Sequence, residues 1–380
     1  MIVSESSEVV ALGTSSRARF RFVFSPSAHW LDSSEDVRWD GFVAEHRYGL
    51  VYHVSAWKRV LETAFPHIRG RFLVLRDNDG RIQAGMPVYT VRSWLLGNRI
   101  SSLPFSSFCD PLINSTGQFH LLLPELERER RRSRSGIIEV RATKTVPCLE
   151  GKAVQPSSTY KHHYLSLERN LDEIFQGFAN SSIRQKIRQA ERAGVVVEEH
   201  TDEDGLRICH SILASTRTRH SLPVLPFSFF QAMGQWLRPQ HLKVFLAYQG
   251  GKPVAFHLIL RFRNMWISEY SGNTDEALNG VNQILYWDSI QRAHADGATT
   301  FSFGRTSSSN EGLLSYKRRW APEEEDTVEF TLAPRTGSEK WARRKPREQS
   351  QSYTLMRRIL AKAPRPVSRL IGNYCYRHLG

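Results

Sequence analysis

The sequence predicts a mixed α/β chain in which one kind of domain, a mostly antiparallel sheet flanked by helices, occurs twice. Three observations carry this expectation. Helical and extended patterns alternate along most of the chain. Two strand–turn–strand runs, one around Gly80 and one around Gly250-Gly251, follow the same plan. An offset of 171 residues sets Gly80 on Gly251, Ala84 on Ala255 and Val74 on Phe245, and a helical segment precedes the hairpin in each half.

The elements follow in order. Residues 1–35 are Ser-rich and weakly patterned and read as a loose leader. Trp57, Val60, Leu61 and Ala64 share one helical face. The run from Arg71 forms a hairpin through Asp77-Asn78-Asp79-Gly80, where glycine supplies the positive φ of the turn. A charged helix (LLLPELERERRRSRS), a strand (GIIEVRA) and an extended stretch (YKHHYLSLER) complete a first domain over residues 36–165. The second, residues 166–334, opens with NLDEIFQGF and NSSIRQKIRQAERAG, both helical, with Asn180 or Ser181 as N-cap and Gly194 as stop. VVVEEH is a strand and DEDGLRICHSILASTRTRH a helix. The segment PFSFFQAMGQWL stands opposite the Trp57 helix, but Trp57 faces Ser228 and Leu61 faces Ala232, so a small register shift is expected there. After the second hairpin come the strand MWISEYSG, the helix NQILYWDSIQRAHADG and the strands TTFSFGR and DTVEFTL.

Composition narrows the function. The 380 residues are 40% hydrophobic and 24% charged, ordinary for a folded soluble protein. No apolar run approaches the ~20 residues that span a bilayer. The N-terminus carries early acids and lacks the pattern of a secretory signal. Four widely spaced cysteines contain no C-x-x-C pair, which suits a reducing cytoplasm better than zinc or disulfides. The net charge is +14, and residues 331–380 hold twelve Lys/Arg against two Asp/Glu, so the charge is mainly a property of the tail 335–380. That tail suits an anionic membrane surface at the inner face of the cytoplasmic membrane, an anionic polymer or plain solubility. A nucleic-acid-binding core carries its basic stripe within the fold.

Phosphate-loop, dinucleotide, zinc-protease and nucleophile-elbow motifs are all missing. His162 and His163 are adjacent on an extended run, so they face opposite ways and do not form a metal pair. The helix IRQKIRQAERAG places Arg184, Arg188 and Arg192 on one stripe beside Ile183 and Ile187. Two readings stay open for it: a solvated helix face, or a surface that meets phosphates through Arg forks. In WISEYSG, Glu269 suits a general base and Tyr270 an oxyanion donor. Regular alternation puts them on opposite faces, and only a bulge would bring both to one atom.

At this point the run ISEYSGN, the helix NQILYWDSIQRAHADG, the strand TTFSFGRT and EGLLSYKRRW together resemble the C-terminal half of the FemAB-like branch of the GNAT acyltransferase superfamily. The stretches from Trp39 to Phe65 and GMPVYTVRSWLLGNRISSLPF resemble its first half. The likeness runs over roughly residues 38–330. It implies two tandem GNAT-like domains and transfer of an acyl or aminoacyl group from an activated donor to an amine or hydroxyl. Fem enzymes proper take the group from aminoacyl-tRNA to a peptidoglycan precursor, and relatives belong to exopolysaccharide and cell-envelope gene sets. By the same likeness Lys317 steadies charge at the reacting centre, and Arg305 follows the strand end and contacts substrate. The simple GNAT phosphate loop has only Gly280 here, near DEALNGVNQ, with acids in place of a leading Arg. A long coiled-coil insertion is missing as well.

The leading expectation is an acyltransferase with acyl-CoA as donor, a glycan or envelope precursor as acceptor, and no metal. Lys317, Glu269 and Tyr270 are its catalytic candidates, and Arg305, Arg184 and Arg188 its substrate-binding candidates. The Ser-rich turn after Arg305 rims the acceptor pocket. The alternatives are an idle GNAT-like scaffold and an aminoacyl-tRNA-dependent transferase.

Overall fold

In the computed structural model, described over residues 27–102, 104–149, 155–332, 372 and 374–378, alternating apolar positions assemble one sheet rather than two. The first half contains β1 (Ala28–Trp30), a 3₁₀ turn (Ser33–Glu35), α1 (Asp36–Glu45), α2 (Ser55–Ala64), β2 (Ile68–Arg76), β3 (Ile82–Val91), β4 (Arg99–Ser101), α3 (Thr116–Arg132), β5 (Ile138–Ala142), α4 (Val146–Leu149) and β6 (Gln155–Ser166). The second contains α5 (Leu171–Gly177), a π-helical turn (Asn180–Arg184), α6 (Gln185–Arg192), β7 (Val196–Glu199), α7 (Glu203–Arg219), α8 (Phe227–Leu237), β8 (Leu242–Gln249), β9 (Lys252–Phe262), β10 (Met265–Asn273), α9 (Val281–Ala295), β11 (Thr300–Ser307), α10 (Glu311–Arg318) and β12 (Glu323–Leu332).

The strand order is β1-β2-β3-β4-β5-β12-β6-β11-β10-β9-β8-β7. Each half is an antiparallel hairpin followed by one parallel pair, β4 with β5 and β10 with β11. The closing strands are exchanged: β12 ends the chain's second half but pairs with β5, and β6 ends the first half but pairs with β11. They pair with each other in the middle. The sheet is therefore continuous, because neither half completes itself.

The order strand, two helices, three strands, helix, strand, helix, strand occurs in both halves, after α5 and α6 in the second. Shifted by the same offset, α2 lands on residues 226–235 while α8 occupies 227–237. Buried Trp57, Lys58, Val60 and Leu61 meet buried Phe229, Phe230, Ala232 and Met233 only after one further residue, so the small register shift expected in the helix is present. The two helices pack on each other and share one core. Trp57 meets Phe229 edge-on at 6.1 Å between ring centroids, and Phe65 lies 5.4 Å from the same ring. That core takes alternate residues of both hairpins, such as Phe72 and Val74 with Val244 and Leu246. The opposite face is split. α3 covers Leu73, Leu75 and Met86, whereas α5, α6 and α9 cover Phe245, Ala247 and Trp266.

Two local expectations change. Residues 28–30 of the leader pair with β2 as β1, and the Arg71 guanidinium lies 4.5 Å from the Trp30 ring centroid. Residues 1–26 and most of the tail lie outside the described residues. Neither Asn180 nor Ser181 caps a helix, because that segment begins as a π-helical turn with Ala179 at the N-cap. Gly194, at φ 70°, does end α6. No helix among the described residues is long and apolar enough to cross a membrane.

Candidate active site

The second parallel pair carries three of the candidate residues, Glu269 and Tyr270 on β10 and Arg305 on β11. Its ladder joins Met265–Ile267 to Thr300–Ser302 and stops there, although β10 continues to Asn273 and β11 to Ser307. Each strand breaks register just beyond. In β10 the irregularity lies between Ser268 and Tyr270, which makes Glu269 the extra residue of a bulge. Ser268 and Ser271, three residues apart, consequently share a face: both hydroxyls lie 3.0 Å from the Tyr286 hydroxyl. Ser268 is held further by buried His257, whose Nε2 lies 2.7 Å away. Glu269 and Tyr270 are left facing the other way, into the core shared by the two halves. The alternation expected of a regular strand does not hold here, and the bulge is the reason.

Tyr52, from the loop before α2, donates its hydroxyl proton to the Glu269 carboxylate. Ser107 also reaches the Tyr52 hydroxyl. Burial raises the Glu269 carboxyl to about 7, and the Tyr52 hydrogen bond and the Arg305 charge pull it partly back. Tyr270 packs against Phe229 and Phe230, with ring centroids 6.3 and 6.0 Å apart.

In β11 the break lies between Ser302 and Arg305. Gly304 takes φ 69° there, a left-handed conformation that glycine accepts without strain. Lys317 of α10, only 7% exposed, donates to the carbonyls of Gly304 at 2.9 Å and Arg305 at 3.4 Å. Burial lowers its ammonium to about 7. On the same strand, the Ser302 hydroxyl lies 2.8 Å from His162 Nε2, whose Nδ1 lies 2.8 Å from Glu325. Lys317 thus pins the bulge that presents Arg305.

The Arg305 guanidinium sits 4.1 Å from the Tyr160 ring centroid, and its Nη1 is buried with no described partner. Arg141 lies close enough to lower its proton affinity, and Arg141 itself donates to Glu329 at 2.9 Å and to the Ser106 carbonyl at 3.0 Å. Tyr160 also walls a hollow of ≈ 330 Å³ whose lining includes Ser157, Ser158, Ser307, Ser308 and Ser309, so the Ser-rich turn does border a cavity.

Arg184 and Arg188 lie apart from this group, on the opposite face of the sheet. The Arg184 side chain donates to Gln176, while its Nε is buried without a described partner, and exposed Arg188 lies 5.8 Å from the Phe175 ring centroid. Their helix abuts the start of α9. A Cβ on Gly280 would lie 2.4 Å from the Lys186 carbonyl oxygen, so only glycine permits this approach. Gly280 is the N-cap, at φ 113°, and no side chain caps α9. The Val281 amide donates back to the Leu278 carbonyl at 3.2 Å, and the following amides of α9 begin beside the basic turn.

Of the residues singled out from the sequence, Glu269, Tyr270, Arg305 and Lys317 lie on or beside the two bulged strands, and Tyr52, Ser107, Tyr160 and Arg141, which were not singled out, join them. These last four come from the first half or from the exchanged strand β6, and no local pattern marks them.

Residues 178–318 match the model of the acetyltransferase (GNAT) domain. No curated protein matches the chain. Among solved structures, FemX shares the fold at a TM-score of 0.68 and 13% identity, covering 82% of this chain and 99% of that one. L-PGS from Bacillus licheniformis gives 0.53 at 16% identity over 90% and 97%. A tandem GNAT protein from the clavulanic acid biosynthesis pathway gives 0.52 at 12% identity over 81% and 98%. Residues 178–318 thus match an acetyltransferase (GNAT) domain, and over most of its length the chain shares its fold with FemX and with a tandem GNAT protein.

Proposed function

We propose that this protein transfers an acyl group from an acyl-CoA to an amine or hydroxyl of a glycan or cell-envelope precursor. The observation that carries the reading is Glu269, a buried carboxylate held at about 7 in a bulge, within reach of an under-partnered guanidinium. A base with that proton affinity works near neutral pH.

A thioester supplies an activated carbonyl and a thiolate leaving group. Glu269 takes the proton of the attacking amine or hydroxyl as the new C–N or C–O bond forms and the C–S bond breaks. Arg305 Nη1 offers a donor to the carbonyl oxygen as negative charge grows there. Tyr52 orients Glu269, Tyr270 keeps water from its far side, and Lys317 holds the backbone that aims Arg305. The phosphates lie at the start of α9, beside Arg184 and Arg188. Hydroxyls both donate and accept, so the serine-lined hollow matches the hydroxyls of a sugar ring, with Tyr160 offering an apolar edge.

Isothermal titration with acetyl-CoA, longer acyl-CoAs and aminoacyl-tRNA tests the donor, and thiol release with amino- and hydroxy-sugars tests the acceptor. Saturable acyl-CoA binding, weakened about tenfold or more by Arg184→Gln, is expected. Binding of aminoacyl-tRNA alone would replace the donor, and binding of none would leave the scaffold reading.

A further inference from the structure

Exposed apolar side chains are scattered singly over most of this surface, as is normal. One place differs. Trp94, Leu95 and Leu96 are consecutive, at the tip of the β3–β4 connection, and are 79%, 55% and 40% exposed. Tyr374, 47% exposed, adjoins them: its ring lies 5.1 Å from His378, whose ring lies 5.3 Å from Trp94.

The turn is built to hold these side chains outward. The Ser93 hydroxyl accepts from the Leu96 amide at 2.8 Å and lies 3.0 Å from His378 Nδ1, and the Asn98 side chain accepts from the Ser93 amide at 3.2 Å. Asn98 also donates to the Ser133 carbonyl at 3.1 Å, and its own carbonyl accepts from Gly136 at 2.9 Å. This ties the tip to the basic turn that ends α3. Its tip is therefore fixed in a shape that leaves three large apolar groups in water.

The surrounding charge is mainly positive. Arg92, Arg134 and Arg377 are exposed and make no ion pair with a described carboxylate. Arg131 and Arg132 stand on the last turn of α3, each 75% exposed at the side chain and paired with Glu127 and Glu129 of the same helix.

A Trp-Leu-Leu finger with a neighbouring tyrosine, ringed by arginines, combines the two terms that hold a protein on an anionic bilayer. Apolar side chains enter the boundary between headgroups and acyl chains, and arginines pair with the phosphates. Trp and Tyr favour that boundary because one end is apolar and the other polar. From this juxtaposition we infer that residues 92–98 and 374–377 form a docking surface for an anionic lipid bilayer, with Trp94, Leu95 and Leu96 inserted. The inference stands whether or not the acyl-CoA reading does, and buried Tyr376 beneath the surface links it to the core around Tyr270.

The test is flotation of the full chain with phosphatidylglycerol/phosphatidylcholine vesicles and with phosphatidylcholine alone. Wild type is expected to float with the anionic vesicles and to lose that binding as salt rises. The triple variant W94S/L95S/L96S should bind roughly a hundredfold more weakly. Trp94→Phe should still bind, but should lose the extra tryptophan quenching that brominated acyl chains produce in wild type. Circular dichroism and melting establish that the variants fold, as expected for substitutions at an exposed tip. No flotation of wild type, equal flotation of the triple variant, or identical quenching in Trp94→Phe would each overturn the inference. Capture of a protein partner without vesicle binding would overturn it as well.

Discussion

The two halves share one topology, and each buries a carboxylate beyond its first parallel strand, yet they use it differently. In the first half Asp110 follows β4. Its oxygen accepts from the Thr143 amide at 2.9 Å, the Thr145 amide at 2.7 Å and the Thr145 hydroxyl at 2.8 Å. In the second half Glu269 lies within β10 and accepts from Tyr52 alone among the described residues. Burial pushes both upward, but Asp110's three donors work against that push. A carboxylate with its donors satisfied is part of the frame, and one left short of donors is free to take a proton. The helices differ in the same sense. The Ser115 side chain caps α3 by accepting from the Gln118 amide, whereas α9 starts at Gly280 with no side-chain cap.

Exchanging the two carboxylates for amides gives the largest contrast. Glu269→Gln should lower kcat/KM by about 10²–10⁴ while the fold survives, since the amide still accepts from Tyr52. Asp110→Asn should instead lower the melting temperature, because a neutral amide oxygen accepts the Thr143 and Thr145 bonds more weakly than a carboxylate does, at a cost of about 1 kcal/mol. If activity follows Asp110 rather than Glu269, the comparison is broken. Both are read by thiol release and thermal unfolding.

The pH behaviour sharpens it. Activity should rise with pH as Glu269 ionises, half-maximal near its value of about 7. Its folded value is above the ordinary glutamate value of 4.5, so its contribution to stability is fully present below 4.5 and is lost as pH rises through about 7. Lys317 has the opposite sign. With its folded value lowered from 10.5 to about 7, the unfolded chain binds the extra proton between those values, and stability rises with pH across that window. Glu269→Gln should remove the first slope, and Lys317→Met the second. Because the Lys317 ammonium is buried on two carbonyls, removing it should cost stability as well as turnover, contrary to what a surface lysine would do.

Arg305→Met should reduce kcat about a hundredfold, the scale of one oxyanion donor. It should also move the acid limb of the pH profile upward, because the Arg305 charge holds Glu269 down. An unshifted limb would place Arg305 away from the carboxylate in solution. The smallest effects concern the helix starts. Ser115→Ala should cost about 1 kcal/mol and leave donor affinity unchanged. Gly280→Ala, which sets a Cβ against the Lys186 carbonyl, should weaken acyl-CoA binding in titration.

The sequence by itself determined the repeat and the elements. Glycines 80, 250 and 251 all take the positive φ that the hairpin turns require, and the strands around them alternate as their apolar residues do. These features are local, so pattern reveals them. Arg305 and Lys317 were singled out through motif likeness, and Glu269 and Tyr270 through their residue types on one strand, but not their geometry: a bulge is one unpaired residue in a ladder, and the partner strand decides where it falls. Tertiary structure alone decided that β6 and β12 change places, that the two halves share the core between α2 and α8, and that Tyr52, Tyr160 and Arg141 come to the second half's site. The register of strands far apart in the chain is set by closing one apolar core, and no window of sequence contains that information.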